Sequence, residues 1–165
     1  MTIKLLALDV DGTLTDGGVY LDGRGSEFKR FDIQDGMGIA RLRKSGVHIA
    51  IISGRYSSAT EGRARELGID LIYNGVPNKY ETLLAVAKML DLLPSEIAYA
   101  GDDVNDVECI TWAGLGCAVA NGVEEAKKAA DFVTAASGGR GAVREIAEYI
   151  LRNNKIEETG CGSGA

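Results

Sequence analysis

The sequence has one histidine in 165 residues, His48. It sits inside the apolar run Val47–Ile52, where it reads as a half-buried strand residue. A Ser-His-Asp or Cys-His mechanism needs its base at a strand end or on a loop, so the composition argues against both. There are three cysteines, Cys109, Cys117 and Cys161, odd in number and without CxxC spacing. That pattern supports neither a disulfide framework nor a zinc site, and Cys109 reads as a buried, inert thiol. No apolar run approaches the length of a membrane span, and Met1-Thr2-Ile3-Lys4 leads straight into the first strand without a signal peptide. The net charge is −6, with no long run of one sign, which disfavours nucleic acid or a membrane surface as partner. An anionic substrate stays open, because a site can be locally positive. The expectation is a cytoplasmic protein.

The composition that remains, 45% hydrophobic and 25% charged, is that of an ordinary globular domain. Apolar runs alternate with amphipathic stretches: strands at Leu5–Leu8, Val47–Ile52, Asp70–Tyr73, Ile97–Ala100, Gly116–Val119 and Asp131–Val133. Helices are expected over about 36–45 with Asp35 as cap, over 58–67, from Lys79 to about Leu90, for two turns before Gly114, over 123–130 and over 142–151. This alternation predicts an α/β fold, a Rossmann-like parallel sheet covered by helices on both faces. The stretch around Val19–Phe31, with a turn at Asp22-Gly23-Arg24-Gly25, reads as a β-hairpin outside that sheet. No repeat or interdomain linker is visible. One domain over residues 1–155 and a flexible tail over 156–165 are expected.

Three strand ends carry polar groups: Asp9 and Asp11, then Ser53, then Asp102 and Asp103 with Asp106 one turn later. Lys79 opens a helix between the last two. In a parallel sheet the carboxyl ends of the strands face one crevice. Each motif alone reads equally well as a turn or a solvated surface residue. In this order, each after a buried strand or at a helix start, they read as a phosphoryl-transfer site. Asp9, Asp11 and Asp102 are hard oxygen ligands of the kind Mg²⁺ prefers. A carboxylate beside a bound phosphate is a competent nucleophile, and a second carboxylate can protonate the leaving oxygen. Lys79, the Ser53 hydroxyl and the N–H groups near Gly12 and Gly54 suit the phosphoryl oxygens.

The chain resembles the haloacid dehalogenase superfamily over nearly its whole length. The first motif of that superfamily is matched by Asp9-Val10-Asp11-Gly12-Thr13, the second by Ser53, the third by Lys79, and the fourth by Gly101-Asp102-Asp103-Val104-Asn105-Asp106. The resemblance implies Asp9 as nucleophile and Asp11 as general acid/base. It implies Mg²⁺ held by Asp9, the Asp11 main-chain carbonyl and Asp102, with Asp103 and Asp106 as supporting carboxylates. The Asp-x-Asp form implies phosphatase or phosphomutase chemistry. About 40 residues separate the first two motifs and about 25 the next two, which leaves no room for a cap domain. Capless members with such a hairpin resemble the phosphatases of 3-deoxy-D-manno-octulosonate 8-phosphate. The shared stretches include Asp16-Gly17, Asp35-Gly36-Met37-Gly38-Ile39 and Gly138-Gly139-Arg140-Gly141, while Thr13 stands where valine is usual. That group implies a homotetramer with hairpins assembled across subunits. It also implies substrate contacts from Arg55, from Arg63 (on its own or a neighbour's site) and from Arg140 in its glycine-rich loop. Arg55 favours the eight-carbon acid over a nine-carbon keto-sugar acid 9-phosphate. A broad-specificity phosphatase, a non-catalytic assembly module and a phospho-acceptor receiver domain are the competing readings. Intact motifs disfavour the module, and the placement of Asp9 on the first strand disfavours the receiver.

Overall fold

The computed structural model describes residues 2–160, with side chains to Lys155. Its centre is β1 (Leu5–Leu8), flanked by β4 (His48–Ser53) on one side and β6 (Ile97–Gly101) on the other. β5 (Leu71–Asn74) extends the first side, and β7 (Leu115–Ala118) and β8 (Phe132–Val133) extend the second, giving the order β5-β4-β1-β6-β7-β8. Every pairing in this sheet is parallel. β2 (Tyr20–Leu21) and β3 (Glu27–Phe28) form a separate antiparallel ribbon, the expected hairpin, with much shorter strands than its apolar run allowed.

The period-2 alternation of β1 divides the core. Leu6 and Leu8 point into one layer with Ile49, Ile51, Ile39 and Leu42, and Val143, Ile146 and Ile150 close that layer from α6 (Ala142–Gly160). Leu5 and Ala7 point the other way, toward Ile52, Tyr99 and the Leu83, Val86 and Ala87 face of α3 (Lys79–Met89). Both faces are therefore dry, as a central parallel strand requires. Truncating Leu6, which is fully buried, would cost about 2–5 kcal/mol.

The helix α1 (Ile33–Lys44) starts three residues before the expected Gly36. Its cap is Asp32, in extended backbone, whose carboxylate accepts from Gln34 N at 2.7 Å and Asp35 N at 3.3 Å. Asp35, expected to do this, instead crosses to the start of α6 and accepts from Arg144 N at 2.9 Å. Both residues answer first-turn N–H groups that have no partner inside their own helix. Along the chain follow α2 (Ser58–Glu66), α4 (Val107–Trp112, after a 3₁₀ turn over Val104–Asp106) and α5 (Glu124–Ala129). α6 runs past Leu151, where its apolar pattern stops, to Gly160. Cys161 and the rest of the expected tail lie outside the described residues. Among those residues, no helix is long and apolar enough to cross a membrane.

His48 is exposed at the amino end of β4, not half-buried as expected. That is the far end of the strand from Ser53, which keeps the sole imidazole away from the strand-end crevice. Cys109 is fully buried, and burial first, then the Asp106 charge, pushes its thiol up to about 12.

Candidate active site

Because β1, β4 and β6 run in register, their carboxyl ends bring Asp9, Ser53 and Asp102 to the rim of one cavity of about 600 Å³. Asp11, Gly54, Arg55, Lys79 and Asp103 line the same cavity. Lys79 arrives from the first turn of α3, whose cap is Asn78. The expected strand-end residues are thus brought together, although they are far apart in sequence.

The deepest layer is built on Lys79 and Asp106. Lys79 Nζ lies 2.6 Å from Asp9 Oδ1 and 2.8 Å from Asp106 Oδ1, with all three side chains almost completely buried. Burial alone would lower the lysine pKa, but the two carboxylates override it and hold the ammonium above its ordinary value. Asp106 is also tied by Tyr99, whose hydroxyl donates to Oδ1 at 2.6 Å, while Asp106 Oδ2 accepts from Asp102 N and Asp103 N at 3.0 and 3.1 Å. With four bonds accepted, Asp106 is a scaffold that fixes the turn after β6. Tyr99 is a member of this network that the sequence did not announce, since nothing local distinguishes it from any other core aromatic.

The next layer holds Asp9 and Asp102. Burial first, then the neighbouring Asp106 charge, pushes Asp9 well above the usual carboxylate range despite Lys79. Burial raises Asp102 in the same way. Thr13 Oγ1 stands between them, 3.5 Å from Asp9 Oδ2 and 3.3 Å from Asp102 Oδ1. Carboxylate oxygens of Asp9, Asp102 and Asp106 all lie within 4.8 Å of one another. Such a cluster of hard, mutually repelling oxygens fits a divalent cation like Mg²⁺, and a cation there reverses the upward shifts. Since the oxygens of Asp106 are already engaged, Asp9 and Asp102 are the members suited to hold it.

The loop after β1 is shaped by close approach. Gly12 has φ +88°, and a Cβ there would sit 2.1 Å from Asp102 Oδ2, so a side chain would displace that carboxylate. Asn121 braces the same loop: its Nδ2 donates to Gly12 O at 3.0 Å and its Oδ1 accepts from Gly138 N at 2.6 Å. Gly138 in turn packs so closely on Gly12 O that a Cβ would come within 1.9 Å. The glycine-rich loop is thus a buttress for the first motif.

The outer rim comes from the hairpin and the arginines. Lys29 Nζ lies 2.6 Å from Asp11 Oδ1, and its side chain has no exposed surface. Glu27 pairs with Arg55 at 2.5 Å. Lys29 and Glu27 escaped the sequence reading, although the alternation Glu27-Phe28-Lys29 puts both polar side chains on one face of the ribbon and Phe28 on the other. The expected substrate arginines sit differently from one another. Arg55 lines the cavity. Arg63 donates to Asp32 O at 3.2 Å, pairs with Glu66 and lies 5.8 Å over the Phe31 ring. Arg140 stands 3.8 Å from Asp16 on an exposed loop. Neither Arg63 nor Arg140 lines the cavity. Ser53 is buried, and its Oγ donates to Arg55 O at 2.9 Å.

The profile of haloacid dehalogenase-like hydrolases matches residues 68–146. The 3-deoxy-D-manno-octulosonate 8-phosphate phosphatase KdsC of Escherichia coli K12 is 40% identical over 157 residues, covering 94% of this chain and 84% of that protein. The crystal structure of the Moraxella catarrhalis 3-deoxy-D-manno-octulosonate 8-phosphate phosphatase, in complex with magnesium ion, phosphate ion and KDO, superposes with a TM-score of 0.89 at 42% identity, covering 96% of this chain and 92% of that one. The cobalt-bound form of the deoxy-D-mannose-octulosonate 8-phosphate phosphatase of Haemophilus influenzae gives 0.90 at 35% identity, covering 93% and 90%.

Proposed function

Because the chain belongs to the haloacid dehalogenase-like hydrolases, we propose that it hydrolyses a phosphomonoester of a keto-sugar acid, 3-deoxy-D-manno-octulosonate 8-phosphate. The observation that carries the reading is the Asp9–Lys79 pair at the floor of the strand-end cavity, with Asp102 beside it. That arrangement supports Asp9 as the nucleophile, Lys79 as the phosphate-binding cation and Asp102 as a ligand for a divalent ion.

Asp9 attacks phosphorus with the oxygen that Lys79 does not hold, forming an acyl phosphate and releasing the sugar alkoxide. Lys79, the Ser53 hydroxyl and the N–H groups of Gly12 and Gly54 receive the phosphoryl oxygens. Asp11 gives its proton to the departing oxygen and then takes one from the water that attacks the acyl phosphate, which returns Asp9 as a carboxylate. Asp106 and Asp103 keep the turn after β6 in place. Asp9, the Asp11 main-chain carbonyl and Asp102 would hold Mg²⁺, which would supply charge neutralisation for the phosphoryl group. Arg55, which lines the cavity while paired with Glu27, is the arginine placed for the carboxylate of the sugar acid, whereas Arg63 and Arg140 lie outside the cavity.

The hairpin also implies assembly. The hairpin exposes Tyr20, Leu21 and Phe28 at 58%, 72% and 61%. A two-stranded ribbon is marginal alone, and clustered exposed apolar side chains mark an interface. Pairing of hairpins into a homotetramer covers this surface and roofs an otherwise open site. A cytoplasmic location is part of the same reading.

The deciding experiment measures phosphate release with Mg²⁺ from the eight-carbon 8-phosphate, the nine-carbon 9-phosphate and a panel of common sugar phosphates. The expected result is a kcat/KM for the eight-carbon acid at least about tenfold above all others, a margin of about 1.4 kcal/mol in transition-state binding. Preference for the nine-carbon acid, or equal rates across the panel, overturns the substrate. Release that persists in excess chelator overturns the metal.

A further inference from the structure

The hairpin delivers one fully buried cation to the site, and the reaction as laid out does not use it. Lys29 follows β3, with its Nζ 2.6 Å from Asp11 Oδ1 and 3.6 Å from Glu27 Oε1. Among the described residues, it is the side chain that bonds the Asp11 carboxylate. One explanation is that Lys29 pins the hairpin to the domain. The hairpin is already pinned twice without it: Arg30 Nη1 donates to Gly139 O at 2.6 Å, and Glu27 pairs with Arg55. Asp11 has the greater need. It lines the same cavity as Asp9 and Asp102, whose negative charges push a free carboxylate away into another rotamer.

We propose that Lys29 is the positioning residue for Asp11. This rests on the reading of Asp11 as the proton donor and acceptor. Lys29 bonds Oδ1, which leaves Oδ2 as the oxygen that can face the leaving group. The cation that fixes this geometry comes from the ribbon, so the order of the hairpin is coupled to the proton-transfer step. Glu27, with Oε1 buried and lacking a hydrogen-bond partner, faces Lys29 from the ribbon side and keeps it from turning outward.

The test uses Lys29→Met and Lys29→Arg beside Asp11→Asn, assayed with Mg²⁺ on a sugar phosphate and on 4-nitrophenyl phosphate, whose leaving group needs little protonation. Lys29→Met should lower kcat on the sugar phosphate by about a hundredfold, the scale of a misplaced catalytic group. KM should stay within about threefold, and the loss on the aryl phosphate should be under about tenfold. Lys29→Arg, which keeps a charged donor, should recover most of the rate. Equal losses on both substrates, a loss confined to KM, or no loss overturns the proposal. Asp11→Asn separates the two levels of argument. If it lacks the leaving-group split, the role of Asp11 fails, and a crystal structure of Lys29→Met then decides the positioning claim. An Asp11 carboxylate that has rotated supports the claim, and one still in place overturns it.

Discussion

Two halves of one site are built by opposite rules. At the strand ends, Asp9, Lys79, Asp106 and Tyr99 are buried, bonded to one another, and fixed by strands whose register leaves no slack. In the hairpin, two-residue strands expose their apolar side chains and, among the described residues, the ribbon reaches the domain through polar contacts at Asp11, Arg55 and Gly139. The first region needs no partner to hold its geometry, and the second cannot bury its own surface. The groups proposed to break bonds therefore sit on the self-sufficient half. The groups proposed to aim, select and couple to assembly sit on the half that leaves its apolar side chains exposed.

The largest effect belongs to the buried half. Asp9→Asn should lower turnover by about 10³-fold or more, since an amide cannot form the acyl phosphate. Its thermal unfolding should stay cooperative. A folded variant within tenfold of wild type would remove Asp9 from the nucleophile role and the buried half from the chemistry.

Lys79→Met tests self-sufficiency through stability. Removing the ammonium leaves Asp9 and Asp106 buried without their cation, a loss of about 3–5 kcal/mol. Urea unfolding in chelator should report it directly. A loss under about 1 kcal/mol would mean that water or another group already compensates these carboxylates.

How far the sequence revealed each half follows the same line. The strand ends were legible because their signals are local: an apolar run, then Asp9-x-Asp11; another run, then Ser53; a third, then Gly101-Asp102-Asp103. Parallel topology converts those separate endings into one crevice. Asp35 was misread because a helix-capping aspartate looks the same whichever helix it caps, and Asp32, three residues earlier, was equally eligible. Tyr99 and Asn121 were invisible, since their partners, Asp106 and Gly12, become neighbours only after folding. Lys29 lay between these extremes. The alternation of the ribbon shows which face it shares with Glu27, but only the fold shows that this face turns toward Asp11. The length of α6 was underestimated because its apolar spacing ends at Leu151 while its helical residues continue.

The hairpin half should respond in assembly. Replacing Tyr20 and Phe28 by serine changes exposed positions, so the stability of the isolated subunit should move by no more than about 0.5 kcal/mol. Light scattering should nevertheless show the loss of the proposed oligomer, with a fall in kcat on sugar phosphates as the ribbon loosens. An unchanged mass would place the subunit contacts elsewhere on the surface.

The smallest effect lies at the joint between the halves. Asp35 sits where the chain leaving the hairpin enters α1, and it ties α1 to α6 through Arg144 N. It is 1% exposed, and its Oδ2 is buried without a hydrogen-bond partner. Burial is the main cause that pushes its carboxyl up from 3.8 to about 6, with the Asp32 charge adding to the rise and the backbone bonds from α6 opposing it. A raised acid holds its proton in the folded chain over a range where the unfolded chain has released it. Between about pH 4 and pH 6, the folded state then binds more protons, so this group makes stability fall as pH rises through that window and level off above it. The slope cannot exceed about 1.4 kcal/mol per pH unit for one proton. Asp35→Asn keeps an oxygen to accept from Arg144 N and cannot titrate. The stability of the variant minus that of wild type should therefore climb from pH 4 to pH 6 and be flat above, a comparison in which every unperturbed group cancels. Urea unfolding of both proteins at pH 4.5, 5.5 and 7.5 measures it. A difference constant across those values would mean that Asp35 titrates as an ordinary carboxylate and that the joint is insensitive to mild acid.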